Sequence, residues 1–334
     1  MLVWLEFAVC LALIAVAGYR LSLYGDMIAE KRGLTRTWVG VVMVASVTSL
    51  PELVSGLSSV TVAHTPDIAI GDILGSCVFN LMLIVVLDLL HRQGSVYTSA
   101  HVGHTLSAGF GVILIGFVAV NLLLAANGSH LGIGHIGMYT PVVLLLYALA
   151  MRTIFRHERM RELPTQDVAD ERYASTTLGQ AVTGYILAAL VVVAAGIWLP
   201  FVGKALATQN DWGEGFVGTL FVAAVTSLPE ALVSIAALRI GALDMALGNL
   251  FGSNLFNIAI LAVDDLAYLP GPLLGAVDPT HAVSALSAMV MSGIAIVALI
   301  YRPRQRVFGT VGWTSLFLLT VYLFNAYAIY VYGH

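Results

Sequence analysis

"VTSLPEL" spans residues 47–53 of the 334-residue chain, and "VTSLPEA" returns at 225–231, 178 positions later. Both lie inside long apolar runs. Pro51 has no N–H, so the carbonyl of Val47 loses its helical partner; Pro229 does the same to Val225. In lipid such a carbonyl is tolerated only where it is buried in protein, lines a cavity or meets a ligand. Glu52 and Glu230 add a carboxylate at each break, at a cost of at least about 2.5 kcal/mol near the bilayer centre. A hexapeptide this expensive, kept twice, points to a cation site. The plainer alternative is a kinked helix carrying a protonated, hydrogen-bonded glutamate.

Each glutamate follows a threonine by four residues and a serine by three: Thr48 and Ser49 before Glu52, Thr226 and Ser227 before Glu230. Hydroxyl, carbonyl and carboxylate oxygens therefore share one helical face. An all-oxygen set suits a hard cation such as Ca²⁺ or Na⁺. Two carboxylates can neutralise one Ca²⁺ and repel each other without it.

The surroundings are built for a membrane. The chain is 59% hydrophobic and 10% charged, with a mean hydropathy of +0.92; soluble proteins carry about 25% charged residues. Windows of about 20 apolar residues predict ten spans near 2–22, 37–63, 67–91, 104–126, 137–155, 177–202, 214–239, 243–268, 280–301 and 308–332. The fold class expected is all-α, a polytopic membrane protein. The first window lacks a basic leader and a small-residue cleavage site, so it reads as a span and not a signal peptide. With loops on alternate sides, Arg20, Lys31, Arg32, Arg36, Arg92, Arg152, Arg156, Arg159, Arg161, Arg172, Arg239, Arg302, Arg304 and Arg306 share one side, and only Lys204 falls on the other. The positive-inside rule then predicts both termini outside and the 156–176 loop in the cytoplasm of a plasma or inner membrane. Cys10 and Cys77 lie within spans and indicate neither a disulfide framework nor a redox role.

The two halves repeat. "AIGDILGSCVFN" at 69–80 answers "ALGNLFGSNLFN" at 246–257, with six of twelve positions identical and an offset of 177. The polar stretch 156–176 separates five spans from five spans and reads as a solvated linker. An odd number of spans per half turns the second half over, giving two inverted-topology five-helix repeats (1–155 and 177–334). That plan is common in secondary transporters, with substrate bound at the repeat interface; channels can share it. Gly71, Gly75, Gly248 and Gly252 follow a four-residue spacing that permits close helix approach. Ser76 with Asn80, and Ser253 with Asn257, are i, i+4 pairs able to face the glutamates. Asp72, one turn before Ser76, is a third candidate carboxylate, with helix capping or a place at the cavity mouth as alternatives.

Residues 37–91 and 214–268 resemble the two α-repeats of the sodium/calcium exchanger family within the cation/Ca²⁺ antiporter superfamily. The resemblance implies an antiporter that moves Ca²⁺ against Na⁺ or H⁺, with four ion sites between the repeats. By motif position it implies that Glu52 and Glu230 are the central acidic ligands. Thr48, Ser49, Thr226 and Ser227 are then the ligands around them, and Ser76, Asn80, Ser253 and Asn257 those of the following helices. Two departures stand out. Many relatives carry aspartate at one of the positions held here by Asn80 and Asn257, and Asp72 and Cys77 replace the asparagines that the second copy keeps at Asn249 and Asn254.

The remaining signals are plainer. The histidines fall mainly at span ends without metal-ligand spacing, and the Gly-rich 128–137 reads as a tight external loop. Asp264 and Asp265 are expected as a solvated helix cap, with a role in ion entry as the alternative. No catalytic residue, cofactor, nucleic-acid site or obligate protein partner is indicated; the lipid bilayer and the transported ions are the expected partners. The leading reading is a Ca²⁺/Na⁺ antiporter working by alternating access. A Ca²⁺/H⁺ antiporter is the nearest alternative, and a cation channel the alternative of a different class.

Overall fold

A computed structural model describes residues 1–31, 45–92, 94–128, 132–159, 176–303, 305–307 and 311–333. The chain is mostly helical, as its long apolar runs with few interior prolines require. Helix α1 (Leu2–Lys31) precedes two short pieces, α2 (Ala45–Thr48) and α3 (Leu50–Ser58), the latter closing in a wide π turn, Ser59–Ala63. Next come α4 (Pro66–Leu90), α5 (Val96–Ser99), α6 (His104–Ala126), the hairpin β1–β2 (Gly132–Ile133 and Ile136–Gly137) and α7 (Tyr139–Arg159). The second half contains α8 (Leu178–Asn210) and α9 (Glu214–Phe216), then a π stretch, Val217–Val222, leading into α10 (Ala223–Thr226). It continues with α11 (Leu228–Arg239), α12 (Leu243–Ala267), α13 (His281–Tyr301), the hairpin β3–β4 (Arg306–Val307 and Val311–Gly312) and α14 (Trp313–Tyr332).

Eight of these helices are long and apolar enough to cross a membrane. The run Glu214–Arg239 makes a ninth if its two arms, bent by 44°, count as one span. Of the expected span 37–63, the described part ends in a shorter apolar helix, Leu50–Ala63; residues 37–44 lie outside the described residues, as do 160–175 of the expected linker. Within the Gly-rich stretch, residues 132–137 form a tight hairpin that turns through Gly134 at φ 65°, while residues 129–131 lie outside the described residues.

Both hexapeptides break their helix at the serine. Ser49 adopts φ −85°, ψ 15° and Ser227 φ −83°, ψ 7°, and in each case the proline opens the next helix. There its missing N–H costs nothing, because the first-turn donors have no intrahelical partner. Helices α4 and α12 lie innermost. Gly71 and Gly75 let the second half's π stretch press onto α4. A Cβ on Gly71 would stand 2.9 Å from the Gly215 carbonyl oxygen, and one on Gly75 would collide with Thr219 backbone. On the outside, α1 packs along α8 and each crosses a proline break of the opposite half. Gly18 rides over the Pro229 ring, and Gly196 sits against Val54 and the Pro51 carbonyl.

The sequence repeat continues beyond the motifs as a set of crossed loop contacts, with the aspartates at the same 177-residue offset. Asp88 accepts from Val96 N (3.0 Å), Gly312 N (2.9 Å) and Ser315 Oγ (2.8 Å). Its counterpart Asp265 accepts from Leu273 N (2.7 Å), Gly137 N (2.8 Å), Thr140 Oγ1 (2.5 Å) and the Tyr139 hydroxyl. Each aspartate thus anchors the helix start that follows the other half's hairpin. At the opposite ends of α4 and α12, Asp67 accepts from Asp278 N (2.7 Å) and lies 3.0 Å from His281 Nε2. Asp244 accepts from His101 N (2.8 Å) and lies 3.0 Å from His104 Nε2. The expectation of a solvated cap at Asp264 and Asp265 is corrected: both are fully buried. A buried carboxylate is held by donors when it serves the fold, and Asp265 has four. His281, at the start of α13, is likewise buried.

Candidate functional site

The two hexapeptides meet at the centre of the molecule. Thr48, Ser49, Glu52, Thr226, Ser227 and Glu230 are all fully buried, as are Asp72, Ser76, Asn80, Ser253 and Asn257 on α4 and α12. The proline breaks put the hydroxyls of one half within reach of the carboxylate of the other. Ser49 Oγ donates to Glu230 Oε1 at 2.8 Å, and Ser227 Oγ donates to Glu52 Oε1 at 3.1 Å. Ser253 Oγ adds a third contact, 3.2 Å to Glu230 Oε1. The threonines cross in the same sense: Thr226 Oγ1 donates to Asp72 Oδ1 at 2.7 Å, and Thr48 Oγ1 lies 3.4 Å from Asn249 Oδ1. Looser hydroxyl pairs, Thr48–Ser253 and Ser76–Thr226 at 3.5 Å, close the ring.

These bonds hold one face of each acidic group and leave the other bare. Glu52 Oε2, Glu230 Oε2, Asp72 Oδ2, Asn80 Oδ1 and both polar atoms of Asn257 are buried without a hydrogen-bond partner. Buried polar atoms are nearly always satisfied, and an unpaired carboxylate oxygen away from water is costly. Five of the six bare atoms are oxygens, the donor set of a hard cation. The residues present therefore fit an oxygen-coordinated cargo. Among the described residues no three His, Cys, Asp or Glu side chains converge as a metal cluster. Glu52 and Glu230 form a pair among neutral hydroxyls and amides, and Asp72 interacts electrostatically with both.

Several participants carried little signal in the sequence. Asn254 Nδ2 donates to the Cys77 carbonyl (3.1 Å), and Asn80 Nδ2 donates to Asn254 Oδ1 (3.1 Å), which joins α4 to α12 beside the centre. Asn249 Nδ2 bridges the Glu230 carbonyl (3.3 Å) and Ser234 Oγ (3.1 Å). Asn249 and Asn254 were visible only as the family's usual residues. That they brace the centre depends on how α4, α11 and α12 stack.

Residues 2–155 and 180–332 match the family model described as sodium/calcium exchanger protein. Among curated proteins, the inner membrane protein YrbG of Escherichia coli (strain K12) is 26% identical over 292 residues, which is 87% of this chain and 86% of YrbG. The sodium/calcium exchanger MaX1 of Methanosarcina acetivorans is 28% identical, over 72% of this chain and 76% of its own. Among solved structures, the sodium–calcium exchanger NCX_Mj, soaked with 2.5 mM Na⁺ and 0.1 mM Ca²⁺, aligns over 97% of both chains with a TM-score of 0.62 at 21% identity. The H⁺/Ca²⁺ exchanger CAX aligns over 98% of this chain and 85% of its own, with a TM-score of 0.71 at 12% identity. At such identities the structural likeness is one of fold. The family match runs through both halves and breaks only across the central linker: the chain belongs to the sodium/calcium exchanger family, within the cation/Ca²⁺ antiporter superfamily.

Proposed function

We propose that this protein exchanges Ca²⁺ for Na⁺ across a membrane by alternating access, with Glu52 and Glu230 as the shared charge of overlapping ion sites. The observation that carries the reading is the crossed centre. Each glutamate has one oxygen fixed by the opposite half's serine and one bare oxygen, so a cation between them touches both halves at once. Thr48, Ser49, Ser76 and Asn80, with Thr226, Ser227, Ser253 and Asn257, supply the neutral oxygens around it, and Asp72 supplies a third charge beside Thr226.

A bound load, one Ca²⁺ or the competing Na⁺ ions, neutralises the two glutamates and lets the centre close away from water. Bare carboxylates resist that closure, because burying uncompensated charge costs several kcal/mol. Only loaded protein therefore switches, which couples the two fluxes. The moving part is the α1–α8 pair. Gly18 over Pro229 and Gly196 over Pro51 present side-chain-free backbone at the two places where that pair crosses the broken helices.

In this reading the chain has ten spans, arranged as inverted repeats 1–155 and 177–334 joined by the linker 156–176. Both termini are outside and the linker is cytoplasmic. The crossed contacts between counterparts support a two-fold relation, and the loop charge supports the orientation.

Radiolabelled Ca²⁺ uptake into proteoliposomes, with an outward Na⁺ gradient, an outward H⁺ gradient or none, tests the proposal. Uptake driven by Na⁺ alone is expected. Uptake driven by H⁺ alone would replace Na⁺ with H⁺ as the counter-ion, and uptake that needs neither would make the protein a channel.

A further inference from the structure

Asp264 lies outside every motif above. It sits on α12, seven residues past Asn257, and is fully buried, yet neither of its carboxylate oxygens has a hydrogen-bond partner. Its neighbour Asp265 collects the loop donors instead. The Asp264 carboxylate lies against the bare backbone of Gly56, where any Cβ would collide with it. Gly56 stands one helical turn past Glu52 on α3. Ser55 and Ser59 flank it, both fully buried; the Ser59 hydroxyl has no partner, and Ser55 lies beside the Asp72 carboxylate. At 100° per residue, Glu52, Ser55, Gly56 and Ser59 fall within about 100° of one another around the helix. The fourth component is Asp72, the charged group that interacts electrostatically with Asp264 and whose Oδ2 is also unpartnered.

Three helices thus contribute oxygens, and only oxygens, to one buried strip beside the glutamate pair. The second half has no such strip. At the symmetry-equivalent positions Val233 stands for Ser55, Ser234 for Gly56, Ala237 for Ser59 and Asn249 for Asp72, and the first half supplies Leu87 for Asp264. The one hydroxyl there is satisfied, since Ser234 donates to the Ala246 carbonyl at 3.2 Å and accepts from Asn249. Unpaired carboxylates inside a membrane are rare and mark ion pathways. Asp264 was under no helical or loop constraint to be acidic, as Leu87 shows.

We propose that Asp264, Ser55, Ser59 and the outer oxygen of Asp72 form an additional Na⁺ site on the flank of α3, separate from the Glu52–Glu230 centre. Its donors are those of a hard cation. The glycine removes the side chain that would fill the space, and Asp72 belongs to both the flank and the centre. A Na⁺ ion held there lies one helical turn from Glu52, placed to enter or leave the centre on one side only.

The test is equilibrium binding of radiolabelled Na⁺ and Ca²⁺ to the full-length protein in lipid nanodiscs. It needs no transport, so its failure would leave the antiport reading standing. Asp264→Asn is expected to lower the number of Na⁺ bound per protein by one, or to weaken the last Na⁺ about tenfold or more, the scale of a lost charged contact. Ca²⁺ binding should change much less. In the Glu52→Gln/Glu230→Gln double variant, residual Na⁺ binding should persist and vanish when Asp264→Asn is added. Gly56→Ala, which displaces the carboxylate without removing it, and the milder Ser55→Ala/Ser59→Ala pair should reproduce the loss if Asp264→Asn does not fold. Unchanged Na⁺ stoichiometry and affinity in these variants would overturn the site. So would parallel loss of Na⁺ and Ca²⁺ in all of them, because that reports damage to the centre.

Discussion

The two halves treat their loops alike and their surfaces around the glutamates differently. Asp88 and Asp265 each accept from the backbone eight residues on and from the other half's hairpin. Asp67 and Asp244 repeat the scheme with a backbone N–H and a histidine. Around the glutamates the match fails. Asp72 faces Thr226 with a spare oxygen, whereas Asn249 spends its amide on Glu230 and Ser234. Duplicated chemistry holds the fold. Diverged chemistry sits around the two glutamates, and its negative charge is displaced toward the first half.

The largest expected effect tests the duplicated part. Asp265→Ala and Asp88→Ala each strand several buried donors, two of them backbone N–H groups in either case. Each should cost about 3 kcal/mol or more, read as a lower unfolding temperature in detergent. A large loss for one and none for the other would break the comparison at its most symmetric point.

The diverged part is sharpened by exchanging its charges. Asp72→Asn should weaken the driving cation about tenfold, as loss of one charged contact does, and change Ca²⁺ affinity less because both glutamates remain. Ca²⁺ uptake against Na⁺ concentration at two pH values measures this; superimposable curves would remove Asp72 from the ion pathway. Asn249→Asp should do worse for stability, since a carboxylate cannot donate to the Glu230 carbonyl and Ser234 as Asn249 does.

The smallest expected effect separates the two histidine pairs by burial. The His281–Asp67 side chains are 0% and 25% exposed, whereas those of His104–Asp244 are 12% and 58% exposed. His281→Ala should cost about 1 kcal/mol and His104→Ala less, because its pair is the more exposed. Equal shifts in unfolding temperature would contradict the assignment.

Much of this was legible in the residues. The duplicated Thr-Ser-Leu-Pro-Glu, the breaks at the prolines and the membrane character follow from local chemistry. The crossing of Ser49 to Glu230 and of Ser227 to Glu52 was not legible, because it depends on how two broken helices 178 residues apart stack. Asp88, His104 and His281 were within reach. The 177-residue offset of the second motif pairs Asp88 with Asp265 and His104 with His281, but their meaning appears only once the hairpins fold onto them. Asp264 read as a helix-end cap because hydropathy windows cannot tell a buried helix end from a wet one.

The central claim is that one cation is shared by two carboxylates, each steadied by the other half. Its most direct test is Na⁺-driven uptake of radiolabelled Ca²⁺ by proteoliposomes holding wild type, Glu52→Gln or Glu230→Gln at equal folded protein. Each variant keeps the side chain's shape and removes one of the two charges that balance Ca²⁺. The account predicts that exchange is abolished in both, to a similar degree, with the unfolding temperature little changed. Wild-type exchange by either variant would contradict it.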